Sequence, residues 1–181
     1  MRFAETDAQG IANNCHYLVW FEVARVNYLD RFRNGYQSLR DDGVEAMTIE
    51  THVRYLKPAY FDDRLDLHAR CVDVRGARFR YEYAIERDSE TIADGWTGHA
   101  CVDAKTFRPT RVPEWLREEI TRAEAAEEEA AEAAGSCPSA WAAAPSGVAS
   151  SRSGRRSARP GRRSSTSFPT AAFRCGSRPA A

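Results

Sequence analysis

A single α+β domain, one long helix against an antiparallel sheet, is the fold class this sequence predicts, and three observations predict it. Apolar residues recur every three to four positions from Tyr17 to Phe32, the period of one helical face. From Ile49 to Ala104 the period changes to two, in four successive runs separated by turn formers. Ahead of both lies Glu5-Thr6-Asp7-Ala8-Gln9-Gly10-Ile11, a run of turn residues that delivers a carboxylate to the start of the helix.

Taken in order, Met1-Arg2-Phe3-Ala4 alternates like the end of a clipped strand, the first of five expected strands. Asn13 or Asn14 can cap the helix by accepting its unpaired N–H groups. The helix is expected over about 14–33, with Tyr17, Trp20, Phe21, Ala24, Tyr28 and Phe32 on one face. Leu18, Val23, Val26 and Leu29 widen that stripe beyond the arc of about 100° that a surface helix needs, so other structure should wrap it. Gly35 is the expected C-cap, and Tyr36 to Met47 reads as a loop with a short helical turn.

The strands follow. Ile49, Thr51, Val53 and Tyr55 face one way until Pro58 stops the run. Leu65 to Cys71 and Phe79 to Ile85 form a hairpin through Arg75-Gly76-Ala77. In the last strand, Thr91 to Ala104, Gly95 and Gly98 mark a bulge or a close approach. Pro113 opens a second helix, whose continuation from Glu118 has nothing larger than alanine to bury after Ile120.

Charge divides the 181 residues unevenly. All 26 acidic residues precede position 136, so residues 1–135 carry a net −8, and the last 46 hold eight arginines. The expected organisation is a domain over 1–120, a Glu/Ala-rich helical extension over 121–135, and a disordered Ser/Ala/Arg/Pro-rich tail over 136–181 without function of its own. The five cysteines show no CxxC pair and read as reduced thiols. His52, His68 and His99 sit on strands without metal-ligand spacing, so neither metal nor cofactor is expected. No membrane span, leader or nucleic-acid patch is read, and a cytoplasmic location is the default.

Two motifs carry a family resemblance. Glu5-Thr6-Asp7-Ala8-Gln9-Gly10-Ile11 followed by His16-Tyr17-Leu18-Val19-Trp20-Phe21-Glu22, then Val53-Arg54-Tyr55-Leu56-Lys57-Pro58 with Phe61-Asp62-Asp63, arrive in the order and spacing of one family. Over Met1 to about Arg117 the chain resembles the hotdog-fold acyl-CoA thioesterases, in the group of 4-hydroxybenzoyl-CoA and short-chain acyl-CoA thioesterases. The resemblance implies a helix wrapped by a five-stranded antiparallel sheet and hydrolysis of an acyl-CoA thioester to a free acid and CoA. It also implies a homodimer or homotetramer with the site at the subunit boundary. In it Asp7 is the catalytic base or nucleophile, and the backbone N–H at Asn14 polarises the carbonyl. Gly10, Ile11, Tyr17, Glu22, Lys57, Arg75 and Arg78 fall in substrate-contacting regions, the arginines toward the CoA phosphates. The family usually has Tyr or His where Asn14 stands and Asn where His16 stands, which puts an imidazole where it could orient Asp7 or the substrate.

Each of these residues has a plainer reading. Asp7 is by pattern a turn residue and cap, His16 a satisfied helix-start histidine, and Glu22 a partner for Arg25 or Arg54 or a subunit contact. Arg75, Arg78 and Lys57 read equally as solvated charges. The alternative to an enzyme is a non-catalytic acyl-CoA or acyl-carrier-protein binding module.

Overall fold

The computed structural model describes residues 1–133, and the expected tail over 136–181 lies outside the described residues. The core is one helix, α1 (Asn14–Leu29), on a four-stranded antiparallel sheet of β1 (Val44–Tyr55), β2 (Asp66–Arg75), β3 (Arg78–Arg87) and β4 (Glu90–Asp103), ordered β1-β4-β3-β2. A short helix, α2 (Tyr36–Asp41), links α1 to the sheet, and α3 (Glu114–Ala133) follows it. All strand pairs are antiparallel, with Tyr55 opposite Ala93, Ala93 opposite Ile85, and Ile85 opposite Leu67.

Among the described residues four strands are formed, not five. The expected first strand is instead a 3-10 turn over Phe3–Glu5, because the Glu5 carboxylate accepts the Arg2 backbone N–H at 2.6 Å and curls the chain before it can pair. What remains of pairing there are single bridges, Thr6 with Ala12 and Ile11 with Tyr60. Helix α1 stops at Leu29, and Asp30 rather than Gly35 is its C-cap. Gly35 instead takes φ +56° as the N-cap of α2, a conformation open to glycine at little cost.

Alternation in β3 is clean from Phe79 to Tyr83: Phe79, Tyr81 and Tyr83 are buried toward α1 with Ile85, and from there on Ala84 and Glu86 of the other face are buried as well. Phe21 stacks on Tyr83 at 4.2 Å, and Tyr28 meets Tyr81 edge-on at 5.5 Å, so the aromatic stripe of the helix locks onto β3. The close approach expected at Gly95 is present, since a Cβ there would lie 2.9 Å from the Phe21 ring and 2.2 Å from the His52 carbonyl oxygen. Strand β1 starts earlier than expected, at Val44, and a register shift between Thr48 and Glu50 leaves Met47 and Ile49 exposed. Its face is half-covered because α1 lies over β2 and β3 rather than over β1.

Helix α3 finds partners that its composition hid. Leu116 and Ile120 are buried, and one turn later the Glu124 carboxylate accepts the Cys71 backbone N–H at 3.0 Å and the Tyr28 hydroxyl. Cys71 lies in β2, a border strand of the sheet, so α3 covers that border and satisfies one of its free donors. No helix among the described residues is long and apolar enough to cross a membrane.

Candidate active site

Asp7 sits on a turn closed from both sides. Its N–H donates to the Ile11 carbonyl at 2.9 Å, its carbonyl accepts the Gly10 N–H at 3.0 Å, and its Oδ1 accepts the Gln9 N–H at 2.8 Å. Gly10 takes φ +76°, which a side chain would strain, so its role is to let the chain double back from Asp7 to Ile11. The returning arm is then pinned: Ala12 N–H donates to Ala59 at 2.8 Å, and Asn13 N–H to the Glu5 carbonyl at 2.8 Å. Asn13 is the helix cap, its side chain accepting the Cys15 N–H at 3.1 Å. Asn14 is therefore the first helical residue, with an N–H that has no acceptor inside the helix.

The turn, the start of α1 and the end of β1 enclose a cleft of about 800 Å³ lined by Asp7, Ile11, Asn14, Tyr17, Tyr55 and Lys57 among others. Tyr17 meets Tyr55 edge-on at 4.9 Å, and the Tyr55 hydroxyl donates to the Asn14 carbonyl at 3.3 Å, so one wall is aromatic. The opposite rim, Leu56 to Pro58, is held by Arg87, which donates to the Pro58 carbonyl at 3.2 Å and pairs with Asp63 at 2.6 Å. Burial pushes the Asp63 carboxyl up, but the Tyr60 N–H and the Arg87 guanidinium outweigh it and hold the group below its ordinary range.

Of the residues singled out in sequence, Asp7, Ile11, Asn14, Tyr17 and Lys57 thus meet in one cleft, with Gly10 shaping the turn beside it. The others lie elsewhere. His16 is half-buried in the first turn of α1 and does not line the cleft. Glu22 is exposed and pairs with Arg25 at 3.2 Å, while Arg54 pairs with Asp94. Lys57 pairs with Glu90 across the strand end. Arg75 and Arg78 flank the β2–β3 turn and are exposed, at the opposite end of the sheet from Asp7. Arg78 stands opposite Ala100 of β4, whereas Tyr55 of the cleft stands opposite Ala93, a separation of roughly 23 Å along the strand.

Sequence reasoning missed Tyr55 as a wall of the cleft and Asp63 and Arg87 as braces of its rim. Tyr55 read as a core position of a period-two strand, and nothing local to Asp63 points to an arginine on another strand. Among the described residues no group of three or more His, Cys, Asp and Glu side chains is arranged to hold a metal ion.

Comparison with known proteins adds to this geometry. Residues 1–120 match the family model of the thioesterase-like superfamily. The chain is 28% identical over 116 residues to the acyl-CoA thioesterase YbgC of Haemophilus influenzae, covering 64% of this chain and 85% of that protein. The solved structure of the hypothetical protein TT1821 from Thermus thermophilus is similar at a TM-score of 0.63 and 28% identity, over 67% of this chain and 93% of that one. A DHNA-CoA thioesterase from Staphylococcus aureus shares the fold at a TM-score of 0.61 and 24% identity, over 76% of this chain and 91% of its own.

Proposed function

Because the chain belongs to the thioesterase-like superfamily, we propose that it hydrolyses an acyl-CoA thioester to a free acid and CoA, with Asp7 carrying the chemistry. The observation that supports this is the cleft in which a carboxylate on a rigid turn faces the first turn of α1. Water attacks the thioester carbonyl while Asp7 takes its proton, or the Asp7 carboxylate attacks first and water releases the acid afterwards. Either way negative charge grows on the carbonyl oxygen, and the Asn14 N–H at the positive end of the helix is the donor that meets it. Loss of one such donor costs about 3–4 kcal/mol in comparable acyl-transfer sites. The thiolate of CoA leaves as its own stable anion, so no strong acid is needed on that side.

Substrate contact falls to Ile11, Tyr17 and Tyr55 on the apolar wall and to Lys57 at the rim, with Gly10 letting the chain double back from Asp7 to Ile11. His16 takes an orienting role at most, and His16→Asn is expected to keep most of the turnover. Glu22 serves the outer side of α1 through Arg25.

Arg75 and Arg78 can serve the same site only if a second copy supplies them. Strand β1 is the border of the sheet that α3 does not cover and exposes Met47 and Ile49, and α1 exposes Leu18, Val19, Val23 and Val26. Antiparallel pairing of β1 with its copy reverses the strand, so the hairpin end of one chain comes to the cleft end of the other. A homodimer is thus part of the proposed site, with a tetramer as further pairing.

The testing experiment is thiol release by the full-length protein over short aliphatic, long aliphatic and aromatic acyl-CoAs, beside Asp7→Asn. Asn keeps the turn and caps about as well as Asp, so the fold should survive while turnover falls by about 10²–10⁴. Tight binding with no release from any substrate would instead assign an acyl-CoA binding module. A near-normal Asp7→Asn rate would remove Asp7 from the chemistry.

A further inference from the structure

Glu5 is a carboxylate that the reaction does not use, yet it is only 4% exposed. Its Oε2 accepts the Arg2 backbone N–H at 2.6 Å, and its Oε1 accepts Arg2 Nη2 at 2.7 Å and Nε at 3.1 Å. From the other side the Trp20 indole N–H, buried in α1, donates to the same Oε1 at 3.4 Å. The main chain of Glu5 joins the helix as well, its carbonyl accepting the N–H of the cap residue Asn13 at 2.8 Å. Glu5 therefore reaches α1 at its cap and again in its second turn, two residues before Asp7. A buried carboxylate gains little stability over a well-packed apolar side chain, so the choice of Glu here calls for another reason. What an ionised carboxylate offers that a leucine cannot is a directional grip on two donors from separate elements.

We propose that Glu5 is a positioning residue for Asp7: by gripping the Trp20 indole and the Arg2 backbone N–H through its two carboxylate oxygens it fixes where the catalytic turn sits against the first turn of α1. The proposal rests on the reading of Asp7 given above. Reacting groups displaced by about 1 Å lose about 10²-fold in rate, so a loosened grip should register in turnover rather than in substrate binding. Arg2 neutralises the carboxylate from the solvent side and leaves the indole contact to set direction. Burial pushes the Glu5 carboxyl up, but the Arg2 and Trp20 hydrogen bonds and the Arg2 charge overcome it and hold it at about 2, so the grip is ionised at any working pH.

The test compares Glu5→Gln, Trp20→Phe, Asp7→Asn and the double variant Glu5→Gln/Asp7→Asn in the full-length protein, reading kcat, KM and melting temperature. Gln keeps the size but has one acceptor oxygen, so it cannot hold both the Arg2 backbone N–H and the Trp20 indole; Phe removes only the indole donor. Glu5→Gln should lower kcat by about 10- to 100-fold with KM little changed. Trp20→Phe should shift kcat in the same direction by less. In the Asp7→Asn background Glu5→Gln should have no further effect on the residual rate, because a residue acting through Asp7 has nothing left to act on. An unchanged kcat in Glu5→Gln, or an equal loss in both backgrounds, would overturn the proposal and leave Glu5 as a structural anchor. Should Glu5→Gln fail to fold, a wild-type kcat in Trp20→Phe overturns it alone. A near-normal Asp7→Asn rate strikes at the reading of Asp7 instead, so the two failures are told apart.

Discussion

His99 shows at the scale of one residue how the interior sets a titration. It is 2% exposed, stacks on Phe79 at 5.2 Å and shares a hydrogen bond with Thr97 Oγ1 at 2.8 Å, which in turn bonds the Tyr83 hydroxyl at 2.7 Å. Burial, with the nearby Arg25 charge, lowers its pKa from 6.5 to about 4. Above pH 6.5 the ring is neutral in both states and costs nothing. Between pH 6.5 and about 4 the unfolded chain takes up a proton that the folded one refuses, so stability falls as pH falls, by on the order of 3 kcal/mol. Urea titrations at several pH values should show this limb, and His99→Gln should flatten it. Glu5 acts lower: its pKa is depressed from 4.5 to about 2, so its contribution is complete above pH 4.5 and drains away from there toward 2. Glu5→Gln should flatten that lower limb alone. Local chemistry made Asp7, Gly10 and Asn13 legible in the sequence, because turns and caps are short-range events. His99 was only one of three strand histidines there, since apart from Thr97 the groups around it, Arg25, Phe79 and Tyr81, come from α1 and β3.

At the scale of elements, α1 and the three strands β2 to β4 were legible because each carries its period over many residues against a buried face. Strand β1 was read short and five strands were expected for four, for two physical reasons. Half of β1 has no cover among the described residues, so its apolar side does not report burial, and the Glu5–Arg2 contact curls the first residues out of pairing. The continuation of α3 past Ile120 was read as having nothing larger than alanine to bury, because its anchor Glu124 is polar. Burial and the hydrogen bond to Glu124 push the Tyr28 hydroxyl far up, so it stays a donor. Glu124→Ala should leave this hydroxyl and the Cys71 N–H without their acceptor, at about 1–3 kcal/mol each, read as a lower midpoint in urea. Gly95→Ala should be as severe, about 1–3 kcal/mol, because the added methyl meets both Phe21 and the β1 backbone.

Whole-molecule behaviour turns on which groups one chain lacks. The cleft has Asp7 but not Arg75 or Arg78, and among the described residues the sheet has an open border at β1. Light scattering of the full-length protein should therefore give a dimer or its multiple, and Val23→Glu on the exposed side of α1 should shift it toward monomer with loss of turnover. Mixing makes the sharper check: Asp7→Asn and Arg78→Glu, each weak alone, should recover activity together, since about half of all pairs are mixed and every mixed pair holds one intact site. No recovery would mean that the arginines serve another purpose. The cover that α3 places over β2 has its own consequence at this scale. A sheet with two bare borders can add copies at either side without end, as a filament does. With one border capped through Glu124 and Cys71, the proposed edge pairing through β1 should stop after a single addition, so sedimentation of the full-length protein should show a particle of finite size and no filament.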